Sequence, residues 1–229
     1  MKKKVLIIAA HPDDDILGCG GFLAKHKDRY NFKVVFIAEG SSARFKNIPD
    51  NLKKIKETIE IRNKYAKDAL SLFNIKDIKF HNLPCGRLDT KPIIEINKII
   101  EKEIKSFNPE TVLTHAEDDT NNDHRIIFRS IMMATRPGIY KNLKTIASFE
   151  VLSSSEWNFS EAFTPNFFEV LTLKELNLKW KALKCYKTET QSFPHPRSEQ
   201  GIKTLARYRG MQAGFKYAES FKIIRMFSK

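Results

Sequence analysis

The chain has 229 residues, a formal charge of +13 and only three cysteines. That length suits one domain with a full hydrophobic core, and there is no low-complexity tract, internal repeat or charged tail. No apolar run approaches the roughly 18 residues of a membrane span, and Cys19, Cys85 and Cys185 are too far apart for a disulfide framework or a cysteine zinc knuckle, which fits a reducing cytoplasm.

Val5 to Ala10 is short, rich in β-branched residues and ends at His11-Pro12, so it reads as a buried strand of a parallel sheet and not as an export signal, despite Lys2 to Lys4 before it. Ile16, Leu17, Phe22 and Leu23 then begin a helix, with Gly18, Gly20 and Gly21 allowing helix and strand to approach closely. The turn between them carries His11, Asp13, Asp14 and Asp15. Three adjacent carboxylates repel one another, and a metal ion relieves that cost. One Asp capping the helix, with the others solvated, is the structural alternative.

Phe32 to Ala38 reads as a second strand, whose polar loop brings Arg44 to the same mouth as His11. Lys53 to Phe73 is an amphipathic covering helix with a solvated charged face. Asp77 to Phe80 is a weak strand, followed by a loop offering Arg87 and Asp89 to a ligand. Ile93 to Phe107 is a helix stopped by Asn108-Pro109, and Thr111 to Thr114 is a strand that again ends at a histidine, His115. The loop after it is dense in potential ligands and leads into a helix over 126–134, with His124 at its start. Two strand ends carrying His and Asp are what a metal site assembled from distant segments requires.

Past residue 140, Thr145 to Leu152 and Phe167 to Leu173 read as strands, and Lys174 to Tyr186 and Ser198 to Gln212 as helices. No flexible linker separates this part, so residues 1–229 form one domain: a core over about 1–140 and a cap over about 141–229 that completes the pocket. Trp157, Asn158, His195 and Arg197 are its candidates for substrate contact. From residue 185 onward nine basic residues stand against three glutamates; solvated surface is the plain reading of most of them, and with Arg44 and Arg87 they also suggest a phosphate-bearing substrate, Arg197 being the foremost contact or else a structural salt bridge.

Ala10-His-Pro-Asp-Asp-Asp15 with Leu-Gly-Cys-Gly-Gly after it, joined to Asn121-Asn-Asp-His-Arg125, resembles the LmbE/PIG-L family of zinc-dependent N-deacetylases. Phe149 to Trp157, Pro165 to Phe168 and His195 to Ser198 resemble its bacterial sugar-deacetylase branch. The resemblance implies an α/β fold, a Rossmann-like, mostly parallel sheet with helices on both faces. It also implies removal of the N-acetyl group from an amino sugar or its conjugate. By position it makes His11, Asp14 and His124 the ligands of one Zn2+ or another divalent ion. Asp13 becomes the general base, and Asp15 and Asp123 supporting groups. Asp15 stands where the family usually has glutamate, and Asn121 where one branch has a histidine.

Three rivals are weighed against this. An amino-sugar thiol precursor is an alternative substrate within the family. A nucleotide-binding Rossmann module fails on its fingerprint, since Leu23 occupies the third glycine position and three aspartates would repel a pyrophosphate. A nucleic-acid partner is disfavoured because aromatics are not interleaved with the basic residues. Assembly into a homo-oligomer is left open by the sequence.

Overall fold

A computed structural model of the chain describes residues 2–228. Strands β1 (Lys3–Ala9), β2 (Tyr30–Ala38), β3 (Asp77–Leu83), β4 (Thr111–His115), β5 (Thr145–Phe149), β6 (Phe167–Val170) and β7 (Ala218–Met226) form one sheet in the order β3-β2-β1-β4-β5-β7-β6. The first five are parallel, β7 runs antiparallel to β5, and β6 antiparallel to β7. Helices α1 (Asp14–His26), α2 (Leu52–Ser71), α3 (Ile93–Phe107), α4 (Asn122–Ala134), α5 (Leu173–Leu183) and α6 (Glu199–Ala213) complete the α/β fold.

The central position of β1 explains its unbroken apolar run. Val5, Ile7 and Ala9 point into a core shared with α1, α2, α5 and α6, and Leu6, Ile8 and Ala10 into one shared with α3 and α4. Both faces are covered, so neither can be polar. The chain runs outward from β1 through β2 to β3, then crosses back to β4 on the other side of β1. The crevice at the carboxyl ends of β1 and β4 is therefore the topological switch point, where open α/β sheets bind ligands.

Residues 141–228 are woven into the sheet and do not stand apart above it, since β5, β6 and β7 all come from them. Their loops around residues 150–158 and 187–198 rise over the crevice. No strand was expected after Gly214, yet β7 is there. Lys222 and Arg225 interrupt its apolar residues, and a register irregularity opposite Ile146 and Ala147 disturbs the simple alternation.

Helix α1 is broken at Cys19, where φ is −140° and ψ 20°. The break is sealed from outside. Lys179 Nζ donates to Leu17 O at 2.7 Å and to Glu219 at 2.7 Å, and Glu219 accepts from the backbone N–H groups of Gly21 at 3.0 Å and Phe22 at 2.7 Å. A cation thus meets the free carbonyl end of one half-helix and a carboxylate the free N–H end of the other. Gly18 is needed for a different reason: a Cβ there would lie 2.1 Å from the Phe149 ring, so only glycine lets α1 rest against the end of β5. No described helix is long and apolar enough to cross a membrane.

Candidate metal centre and catalytic pocket

Asp13 sits at the start of α1 with φ 126° and ψ −30°, a conformation that costs a non-glycine residue on the order of 1–3 kcal/mol. The turn sends neighbouring carboxylates in different directions. Asp14 turns to histidines and Asp13 to arginines.

Asp14 Oδ2 lies 3.2 Å from His11 Nδ1 and 3.3 Å from His124 Nε2, and accepts the His11 backbone N–H at 2.8 Å. The candidate ligand atoms of His11, Asp14 and His124 all fall within 4.8 Å of one another, and all three residues are buried. A carboxylate stands behind each imidazole. His11 Nε2 contacts Asp123 Oδ2 at 2.9 Å, and His124 Nδ1 is 3.1 Å from Asp119 Oδ1. Asp123 is itself fixed by the backbone N–H groups of Gly86 at 2.6 Å and Leu88 at 3.2 Å. Asp119 is held by the Ser154 and Ser155 hydroxyls. Such outer carboxylates orient metal-binding imidazoles and raise their basicity.

His115, at the end of β4, is fully buried, accepts the Ala10 N–H at 2.7 Å and stacks on His124 with ring centroids 3.8 Å apart. Burial and the neighbouring His124 press its pKa down to about 3, so it is a neutral shelf under His124. Burial would lower His124 too, but Asp14 and Asp119 outweigh it and lift it to about 9. His124 Nε2 is buried, faces Asp14 and has no well-directed hydrogen bond. Two imidazole nitrogens and one carboxylate oxygen, one of them orphaned in this way, fit a divalent ion of the hydrolytic zinc type.

On the other side of the pocket, Arg62 Nη2 pairs with Asp13 Oδ1 at 2.9 Å and Arg197 Nη1 with Asp13 Oδ2 at 2.8 Å. Both guanidiniums are also gripped by buried Glu189, which contacts Arg62 Nη1, Arg197 Nη1 at 3.0 Å and Arg44 Nη2 at 2.8 Å. Burial raises the Asp13 carboxyl above its ordinary range against the pull of Arg62 and Arg197. Burial acts the same way on Glu189, but Arg62 and Arg44 outweigh it and bring it to about 2.

These groups surround a cavity of about 160 Å3, walled further by Cys85, Asn121, Ser153 and Ser154. Of the expected site residues, His11, Asp13, Asp14, His124, Arg44 and Arg197 line it. Asp123 stands behind His11. Arg87 and Asp89 are exposed and do not line the cavity; their loop contributes backbone N–H groups instead. Asp15 does not line it either: its carboxyl is fully buried without a hydrogen bond, and burial with the Asp13 charge pushes its pKa to about 8.

Arg197 lines the cavity with Nη1 held by Asp13 and Glu189 and Nε by the Ser153 hydroxyl at 2.6 Å. Two other late basic residues are likewise paired within the fold, Arg209 with Glu150 and Arg225 with Thr135 O, whereas Lys203 meets Glu199 on the surface.

Arg62, Asp119 and Glu189 were not singled out in the sequence. Signals existed for two of them: Asp119 lies in the ligand-dense loop after β4, and Arg62 falls seven residues after Ile55 and four before Ala66, on the buried stripe of α2.

The profile of the PIG-L family, described as GlcNAc-PI de-N-acetylase, matches residues 6–135. That span includes His11, Asp13, Asp14, Arg62, Asp119, Asp123 and His124. A probable N-acetyl-alpha-D-glucosaminyl L-malate deacetylase 2 from Bacillus cereus is 27% identical over 136 residues, 58% of this chain and 61% of its own length. The diacetylchitobiose deacetylase of Thermococcus kodakarensis is 25% identical over 231 residues, 97% of this chain and 83% of its own. Among solved structures, N,N'-diacetylchitobiose deacetylase from Pyrococcus horikoshii superposes with a TM-score of 0.76 at 22% identity, covering 97% of this chain and 84% of that one.

Proposed function

Since the chain belongs to the GlcNAc-PI de-N-acetylase (PIG-L) family, we propose that it removes the N-acetyl group from an N-acetylated amino sugar or a conjugate of one. His11, Asp14 and His124 would hold a divalent ion, zinc foremost, and Asp13 would be the general base. The observation that carries this reading is the convergence of those four side chains on one cavity, Asp13 beside the triad and clear of it.

An ion held there would supply Lewis acidity, acidifying water and polarising an amide carbonyl. The chain's own residues do the rest. Asp13 takes the proton of the attacking water and passes it to the departing amine nitrogen. Arg62 and Arg197 each occupy one of its oxygens, fixing the carboxylate plane while leaving a further lone pair on each oxygen. A carboxyl raised by burial is a better base than an ordinary surface one.

The conjugate can carry an anion. Arg44 is the least enclosed of the three arginines, with its side chain 50% exposed, and spends only Nη2 on Glu189. A phosphate, or a carboxylate such as the malate in the name of the Bacillus relative, would meet it at the mouth.

The test is acetate release from N-acetylglucosamine and its conjugates, together with metal analysis of protein purified without chelator. About one ion per chain, loss of turnover on chelation and recovery with zinc are expected. Acetate release indifferent to chelation would remove the metal assignment, and no release from any N-acetyl sugar would remove the activity.

A further inference from the structure

The cavity of about 160 Å3 is small beside the 300–1,000 Å3 or so of sites that enclose a drug-sized ligand. It is too small to enclose a sugar ring together with whatever that ring is joined to. Whatever that ring is joined to must rest on the rim. One side of the rim is Arg44. Along the chain from the wall residues Ser153 and Ser154, the Ser155–Trp157 turn follows at once and presents an indole that is 46% exposed.

That indole stands on a fixed base. The Ser154 and Ser155 hydroxyls both bond to Asp119, Asn158 Nδ2 bonds to Asp118 O, and Glu156 accepts the Ser153 N–H at 2.5 Å and the Ser154 N–H at 3.2 Å. The His195 ring packs against it edge to face, centroids 6.1 Å apart and planes at 85°. His195 Nδ1 in turn accepts the Arg197 N–H at 3.1 Å. The platform is thus tied to the site at both ends, through Asp119 to His124 and through Arg197 to Asp13.

A half-exposed aromatic ring held rigidly beside a pocket has unspent apolar area and little conformational entropy left to lose. The C–H face of a pyranose ring can cover such a surface while its hydroxyls stay in water. We infer that Trp157, backed by His195, is a stacking subsite for a second sugar ring joined to the one in the cavity, so that the preferred substrate is an N-acetylated oligosaccharide or glycosyl conjugate. This rests on the deacetylase reading above. The polar residues on either side of Trp157 in the chain, Glu156 and Asn158, and the His195 ring against it favour a sugar over an aliphatic chain. The exposed Phe159 and Phe193 make an alkyl aglycone the competitor.

The experiment compares kcat/KM for N-acetylglucosamine, N,N'-diacetylchitobiose and octyl N-acetylglucosaminide in wild type, Trp157→Ala and Trp157→Phe. The disaccharide should exceed the monosaccharide by about tenfold, mostly through KM, the scale of one aromatic contact. Trp157→Ala should bring that ratio toward one, and Trp157→Phe should keep most of it. Binding is read separately from turnover by the fluorescence of Trp157 in an Asp13→Asn, Trp180→Phe background, where diacetylchitobiose should shift emission and glucose should not. Equal rates on both sugars unaffected by Trp157→Ala, or no emission shift, would overturn the subsite. So would a Trp157-dependent preference for the octyl glycoside alone. Failure of wild type to release acetate from any of the three would instead sink the deacetylase reading, with the emission shift still deciding whether the subsite binds a disaccharide.

Discussion

Arg197 donates from Nη1 to Asp13 Oδ2 at 2.8 Å across a sequence gap of 184 residues, joining the end of the chain to its first turn. The same Nη1 also reaches Glu189, so one nitrogen aligns the proposed base with the anchor of the arginine cluster. Arg197→Ala should lower kcat by about tenfold to a hundredfold, the worth of one charge-assisted hydrogen bond, and leave metal content near that of wild type. Steady-state kinetics with metal analysis checks it. A rise in KM with kcat intact would show that Arg197 acts on substrate instead.

Adjacent carboxylates should separate in function. Asp14→Asn removes a proposed ligand oxygen and should lose metal, whereas Asp13→Asn should keep metal and fold while kcat falls by about 10² to 10⁴. Equal metal loss in both variants would mean the roles are misassigned.

Asp119 faces the far nitrogen of His124 and ties down the Ser154-Ser155 turn. Asp119→Asn should weaken metal affinity by about 10- to 100-fold, measured by competition with a chelator of known affinity. Unchanged affinity would reduce Asp119 to a loop anchor.

Glu189 carries the pH prediction. Its folded pKa of about 2 lies below the unfolded value near 4.5, so between those values the unfolded chain binds more protons than the folded one. The stabilisation is complete above about pH 4.5 and is lost as pH falls toward 2. In Glu189→Gln the thermal midpoint should be lower at pH 7, because buried guanidiniums lose a partner, and should fall less steeply over that acid range. An unaltered acid slope would refute the assignment.

Gly18→Ala places a methyl against the Phe149 ring and should destabilise the protein by about 1–3 kcal/mol, read as a drop in thermal midpoint. Adding Phe149→Leu should recover part of it.

The parallel core was legible because burial on both faces forces an uninterrupted apolar run in β1 and a short one in β4, each ending at a histidine. His11, Asp14 and His124 were legible because the family motif marks them. Arg62 and Glu189 were not, since a buried ion cluster is written as charged residues and, in sequence, looks like a solvated face. β7 was hidden by Lys222 and Arg225 within its span. Arg87 and Asp89 were misplaced because a loop can face the mouth through its backbone and turn its side chains to water.

The sealed break in α1 has a consequence for how the protein is made. The helix bearing Asp14 relies for its second half on Glu219, which reaches Gly21 and Phe22 over gaps of 198 and 197 residues. During synthesis from the N-terminus, the first two strands and α2 emerge long before that carboxylate exists, and closing so distant a contact is slow. The nascent chain therefore carries the second half of α1 without its clamp until β7 is released, and a product cut short before residue 219 would have the proposed ligands of the first turn on a helix whose far half is unanchored.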